Sequence, residues 1–137
     1  MTRSECFGLD TSVVLRLIVG EPESLTARAA QFVAEAARTG THLVASNLVV
    51  CETYFALHAH YGVPKRKALA VLIQMLTDGP VRAEAGSPIV EVLRAALGGA
   101  QKPGFVDRLI HAEYLAGDAG MVSFEKAARR LPRTRIL

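Results

Sequence analysis

The chain has 137 residues, which is long enough for one domain with a sizeable hydrophobic core. Half of the residues are hydrophobic, which excludes an intrinsically disordered chain, and the apolar stretches are too short to span a bilayer. The net charge of +3 is too small by itself to indicate nucleic-acid binding. The polar start shows no signal-peptide pattern, so we expect a cytoplasmic protein in which Cys6 and Cys51 are reduced thiols.

Hydrophobic periodicity and turn residues predict strands that alternate with helices along the whole chain. The predicted strands cover residues 6–9, 42–45, 81–85, 121–124 and 134–136. The predicted helices cover residues 11–19, 21–38, 47–61, 64–76, 88–97, 105–116 and 125–131, with Ser87 as the cap of the fifth. This alternation predicts one α/β domain, residues 1–137, in which a mostly parallel sheet of four to five strands is covered on both faces, a three-layer α/β/α sandwich.

Four carboxylates occupy positions typical of a functional site: Asp10, Glu52, Asp107 and Glu125. Asp10 and Glu125 follow predicted strands, at the edge of a parallel sheet where binding sites form. Glu52 is the only formally charged side chain between Ala45 and Pro64, and such a carboxylate is costly to bury without a positive partner. If the fold brings the acids together, their mutual repulsion requires a cation.

Each of these acids also has a structural explanation. Three of them stand where a carboxylate caps a helix or stabilises its positive end, namely Asp10, Asp107 and Glu125. Glu52 lies beyond the capping positions of its helix, on an apolar face with Leu48 and Phe55, so a capping role does not explain it. A buried salt bridge to a distant arginine is the alternative for Glu52.

Other motifs are weaker or absent. The sequence contains no GxxxxGK[ST], GxGxxG or GxSxG motif, so it does not predict a P-loop, a dinucleotide site or a hydrolase elbow. Basic residues cluster at Lys65–Lys67 and after Glu125, where they suit phosphates but also fit ordinary solvated helix faces. His111 shares a helix face with Asp107, and we expect it to be structural.

The four acids and their surroundings resemble those of PIN-domain ribonucleases, and more closely the VapC-like toxins of VapBC toxin–antitoxin pairs. The resemblance covers nearly the whole chain and rests on four segments in the family's order: Gly8–Val14, Ser46–Glu52, Gly104–Ile110 and Val122–Glu125. It departs from the family at Glu125, where the family usually has the shorter Asp. The resemblance implies that all four acids are catalytic and that Asp10, Glu52 and Asp107 bind metal.

Hard carboxylate oxygens without histidine or cysteine ligands favour Mg²⁺, or Mn²⁺ in its place. The resemblance implies an Mg²⁺-dependent endoribonuclease that cleaves RNA by in-line attack of a metal-activated water, leaving a 5′-phosphate and a 3′-hydroxyl. Four further side chains are predicted to contact the substrate: Thr11, Ser12, Ser123 and Arg108.

The resemblance also implies a homodimer and a cognate antitoxin that lies in a hydrophobic groove of the first four helices. DNA binding would belong to the antitoxin, and no membrane is involved. Two alternatives stay open. One is a PIN-like RNA- or protein-binding module with weakened catalysis, which the departure at Glu125 favours. The other is a PIN RNA-processing nuclease without a toxin role. The sequence does not identify the RNA.

Overall fold

The computed structural model describes residues 5–137, so the first four residues of the polar start lie outside the described part. The strands are β1 (Cys6–Gly8), β2 (His42–Ala45), β3 (Val81–Ala83), β4 (Met121–Ser123) and β5 (Thr134–Ile136). The helices are α1 (Thr11–Val19), α2 (Glu23–Thr39), α3 (Asn47–Ala59), α4 (Lys65–Asp78), α5 (Ile89–Gly98) and α6 (Phe105–Ala116), and a 3₁₀ helix spans Lys126–Arg130. The predicted order of strands and helices is therefore confirmed.

The chain divides into two compact units, of which the first ends at Ser87 and the second is Pro88–Leu137. The prediction of a single domain stays a prediction. The strands hydrogen-bond as a sheet of three in the first unit and a pair in the second. All pairings are parallel, and helices flank the sheet, so the predicted α/β/α class is confirmed.

In the first unit the strands follow the order β1-β2-β3, with Leu43 paired to both Phe7 and Val81. Helix α1 packs against α2 and α3, and α4 packs against α3 and β3. The core of this unit contains fully buried aliphatic side chains from several of these elements, including Val14, Val50, Leu57, Leu72 and Val81.

Short junctions in the first unit carry the chain directly from strand to helix. Only Leu9 and Asp10 separate β1 from α1, and only Ser46 separates β2 from α3. The Ser46 hydroxyl accepts a hydrogen bond from the Val49 N–H at 3.1 Å, which caps α3. As a result, the first turns of α1 and α3 both begin at the carboxyl edge of the same sheet.

The second unit pairs β4 with β5 and packs α5 against α6. Its buried core includes Ile89, Leu93, Phe105 and Leu109. Pro88 occupies the cap position of α5, and the Ser87 hydroxyl before it hydrogen-bonds the Asn47 side chain within the first unit. None of the helices in residues 5–137 combines the length and the apolarity that a membrane span requires.

Candidate functional site

Asp10 lies immediately beyond β1, where it is exposed and caps α1. Its Oδ1 accepts hydrogen bonds from the Ser12 hydroxyl and from the Ser12 N–H, the latter at 2.8 Å. The Ser12 hydroxyl, followed by the Ser12 N–H, lowers the pKa of the Asp10 carboxyl below its ordinary value of 3.8. The predicted capping role is thus present, and it leaves an exposed, ionised carboxylate in a fixed orientation.

Glu52 lies in the second turn of α3 and is tied to the chain next to Asp10. The Thr11 hydroxyl donates a hydrogen bond to Glu52 Oε1 at 3.0 Å, across 41 positions of sequence. Because Thr11 follows Asp10 directly, the structure brings four predicted site residues together in the first unit: Asp10, Thr11, Ser12 and Glu52.

Glu52 is not buried among the apolar side chains that surround it in the sequence. Glu52 is exposed, and its neighbours Leu48 and Phe55 are 73% and 56% exposed. Helix α3 is apolar around most of its circumference, and it buries the face with Val50 and Leu57. The carboxylate therefore needs no buried salt bridge, because it lies on an exposed apolar face.

Asp107 and Glu125 line one cavity of ≈ 220 Å³ in the second unit. Asp107 is the third residue of α6, and Glu125 follows β4 by two residues; both are exposed. The other lining residues come from α6, from β4 and from the 3₁₀ helix: Ile110, Tyr114, Met121, Val122, Ser123 and Ala128. The structure therefore brings Asp107, Ser123 and Glu125 together.

Neither acid caps a helix, although Asp107 lies in the first turn of α6, where a carboxylate stabilises the positive end of the helix. The side chain of Glu125 makes no capping hydrogen bond although it precedes the 3₁₀ helix, and Gly104 occupies the cap position of α6. The Ser123 hydroxyl instead accepts a hydrogen bond from the Glu125 N–H at 2.9 Å, which fixes the backbone that carries the acid.

Two candidate polar residues of α6 have structural partners. The Arg108 guanidinium donates to the carbonyls of Pro103 and Ala100, at 2.8 and 3.3 Å, and so holds the loop before α6. Its predicted contact with substrate stays a prediction. His111 is buried, and its Nε2 lies 2.7 Å from the Pro132 carbonyl, as expected of a structural histidine.

Sequence reasoning overlooked Glu84, which lies just beyond β3 at the carboxyl edge of the three-stranded sheet. Its Oε1 accepts a hydrogen bond from the Asn47 N–H at 2.8 Å, at the start of α3. Glu84 thus stabilises the positive end of the helix that carries Glu52. The predicted strand over residues 81–85 included Glu84, and only the end of β3 at Ala83 places this acid directly after a strand, as for Asp10.

A groove of ≈ 550 Å³ opens beside Asp10, and its lining comes from β1, from the segment that follows it, and from α1 and α2. Aromatic and aliphatic side chains dominate its lining, with Phe7 edge-on to Phe32 at 6.1 Å between ring centroids. Two arginines, Arg16 and Arg28, complete the lining. The groove therefore suits a chain segment with bulky apolar side chains.

The chemistry of the acids is compatible with a hard divalent cation. Among residues 5–137, no group of three or more histidine, cysteine, aspartate or glutamate side chains is placed to hold a metal ion. Each unit nevertheless presents a pair of exposed carboxylates. Mg²⁺ binds through one or two carboxylates together with waters and substrate phosphate, so either pair has suitable donors.

Comparison with known families agrees with the position of these acids. A sequence model of the PIN domain matches residues 8–134, a span that contains all four. No curated protein matches the chain significantly.

Proposed function

Because the chain belongs to the PIN-domain family, whose members are generally nucleases, we propose that it is a divalent-metal-dependent endoribonuclease and the toxin of a type II toxin–antitoxin pair acting in the cytoplasm. The main support is that the matched span contains Asp10 and Glu52, which the Thr11–Ser12 segment ties together in the first unit, and Asp107 and Glu125, which line one cavity in the second. The proposed cation is Mg²⁺, with Mn²⁺ as a substitute, and the proposed substrate is RNA with unpaired nucleotides.

The proposed roles of the acids follow from their surroundings. Asp10, Glu52 and Asp107 are the proposed cation ligands, since all three are exposed and stand in segments that resemble the family's without the departure seen at Glu125. A bound Mg²⁺ supplies Lewis acidity at the phosphodiester. Glu125, which is one methylene longer than the family's usual Asp, is proposed to orient the attacking water, and cleavage leaves a 5′-phosphate and a 3′-hydroxyl.

The hydroxyls of the first unit are proposed to position these acids. Thr11 fixes one oxygen of Glu52, and Ser12 holds Asp10 as a carboxylate. Side chains that fix the orientation of metal ligands commonly change metal affinity or activity by ten- to a hundredfold. Ser123 acts through the backbone of Glu125 in the same sense.

The test of the nuclease is the pair of variants Asp10→Asn and Asp78→Asn. Asn keeps the shape of Asp10 and can still accept the Ser12 N–H, so the fold should persist while cleavage falls by about a hundredfold or more. Asp78 is the exposed last residue of α4 and serves as the matched control. The measurement is cleavage of total RNA in Mg²⁺ and in EDTA, with sequencing of the product ends.

Two results would contradict the nuclease proposal. One is Asp10→Asn cutting RNA as fast as the wild type, and the other is cleavage that EDTA leaves unchanged. A protein that binds RNA with no effect of Mg²⁺ or Mn²⁺ on cleavage or stability would instead be a binding module.

The proposed antitoxin occupies the groove beside Asp10. Its support is the size of the groove and the exposure of Phe7, Leu25 and Phe32 on its walls. DNA binding is assigned to the antitoxin, and the toxin is proposed to be a homodimer, which its mass in solution tests.

The test of the antitoxin is genetic. Expression of a small DNA-binding protein encoded by an adjacent reading frame should suppress the toxicity of this protein. Leu25→Glu should abolish this suppression and leave RNA cleavage intact, whereas Leu25→Met should preserve both.

A further inference from the structure

We propose that Tyr114 is the surface on which an unpaired base of the RNA stacks, beside Asp107 and Glu125. This inference rests on the proposed nuclease function and adds a substrate-positioning residue to it. Tyr114 lines the same ≈ 220 Å³ cavity as the two acids. It follows Asp107 by seven residues on α6, with Ile110 between them at a spacing of three and four, so the three side chains share one helix face.

The contacts of the three tyrosines single out Tyr114. Tyr54 is buried and packs edge-on against Phe55, and the Tyr61 hydroxyl accepts a hydrogen bond from Arg16 at 2.9 Å. Tyr114 is 51% exposed, and within residues 5–137 its side chain has neither a hydrogen bond nor a ring contact. The Tyr114 ring is therefore exposed to solvent and is not held by a hydrogen bond or by another aromatic ring.

The surroundings of Tyr114 suit a nucleic acid strand. A tyrosine ring stacks on any base, and such stacking is independent of sequence. The carboxylates of Asp107 and Glu125 repel phosphates, so a bound strand also needs nearby cations. Lys126 and Arg129 supply them, because both are exposed in the 3₁₀ helix just after Glu125 and neither is paired with an acid among the described residues.

The position of Tyr114 beside two acids and two cations predicts which RNA is cut. A base can reach the face of Tyr114 only when it is unstacked from its neighbours, as in loops and single strands. Its stacking beside the acids places the adjacent phosphodiester near Asp107 and Glu125. Paired RNA should therefore be a poor substrate, and the base preference should be weak.

The test compares Tyr114→Ala, Tyr114→Phe and the control Tyr61→Ala. The probe is a nonamer of uridine with a central 2-aminopurine, whose fluorescence is quenched when the base stacks on a ring. Binding is measured in the Asp10→Asn background, which keeps the RNA intact. Tyr114→Ala should weaken binding about tenfold and abolish the quenching, because each stacked base contributes about 1–3 kcal/mol. Tyr114→Phe and Tyr61→Ala should retain both signals.

Kinetics on the otherwise wild-type protein provide a second readout. Tyr114→Ala should raise KM about tenfold with little change in kcat, as expected for lost substrate binding. Because Tyr114 is half exposed, urea unfolding of the variant should be nearly unchanged.

Three outcomes would overturn the role of Tyr114. If Tyr114→Ala binds and quenches the probe as Tyr114→Phe does, no base stacks there, while cleavage by the wild type still supports the nuclease. If Tyr114→Ala alters the mass in solution and leaves RNA binding unchanged, the residue belongs to a protein interface. If the wild type neither binds nor cuts RNA, the nuclease proposal and this inference both fail.

Discussion

The two pairs of acids are positioned in different ways. In the first unit, hydroxyl groups hold both carboxylates, since Ser12 donates to Asp10 and Thr11 donates to Glu52. In the second unit, no hydrogen bond within residues 5–137 reaches the carboxylate of Asp107 or Glu125. That pair depends on where α6 and the end of β4 place its backbone. Loss of a single hydroxyl should therefore act directly on a carboxylate of the first pair, whereas in the second pair the Ser123 hydroxyl acts only through the backbone of Glu125.

The largest expected effect concerns the second pair, because its carboxylates have all their oxygens available. Asp107→Asn should lower RNA cleavage by about a hundredfold or more, as for removal of a group that stabilises developing charge. Glu125→Gln should cost less, because Glu125 is not one of the proposed cation ligands. The measurement is the single-turnover rate of cleavage in Mg²⁺.

The control for these acids is Asp118→Asn in the same unit. Asp118 is exposed, and its φ of 60° suits Asn as well as Asp. The change removes only a surface ion pair to Arg133, which contributes little. Equal cleavage by Asp107→Asn and Asp118→Asn would remove the second pair from the site and favour a binding module.

Most of the fold could be predicted from the sequence, because the residues that begin and end its helices and strands act locally. The bounds of α1, β2, α6 and β5 agree with the predicted residues. For α1, the signals are the Asp10 cap and Gly20, whose φ of 77° ends the helix in a left-handed conformation. Periodicity cannot show which face of α3 is buried, because that helix is apolar on both, so the sequence alone does not tell whether Glu52 is buried or exposed.

Only part of the candidate site could be predicted from the sequence. Asp10 and Glu125 could be found because an acid after a strand in a parallel sheet lies at a predictable edge. The bond between Thr11 and Glu52 spans 41 positions, and no local pattern encodes it. Tyr114 could have been found from its spacing of seven residues from Asp107, but an aromatic on a helix usually packs in the core.

The hydroxyls of the first pair provide the next test. Thr11→Val keeps the shape of the side chain and removes the bond to Glu52 Oε1. Cleavage should fall about tenfold, at the lower end of the range for groups that orient metal ligands. The control is Thr26→Val in α2, because the Thr26 hydroxyl has no hydrogen-bond partner among the described residues. Equal rates for the two variants would show that Glu52 does not depend on Thr11, and the contrast between the two pairs would then disappear.

The smallest expected effect is on the titration of Asp10. The Ser12 hydroxyl is the largest cause of its lowered pKa, so Ser12→Ala should raise that pKa toward 3.8. A lowered pKa stabilises the fold above the ordinary carboxyl pKa, and this contribution is lost as the pH falls through the lowered value. Ser12→Ala should therefore reduce the acid sensitivity of folding. Asp10 is ionised at neutral pH in both proteins, so a loss of cleavage there would report a changed orientation of the carboxylate and not a changed charge. Carboxyl-carbon NMR of Asp10 measures the shift, with Ser24→Ala as the control. An unchanged pKa in Ser12→Ala would mean that the hydroxyl does not hold the carboxylate, and the first pair would then depend on its backbone as the second does.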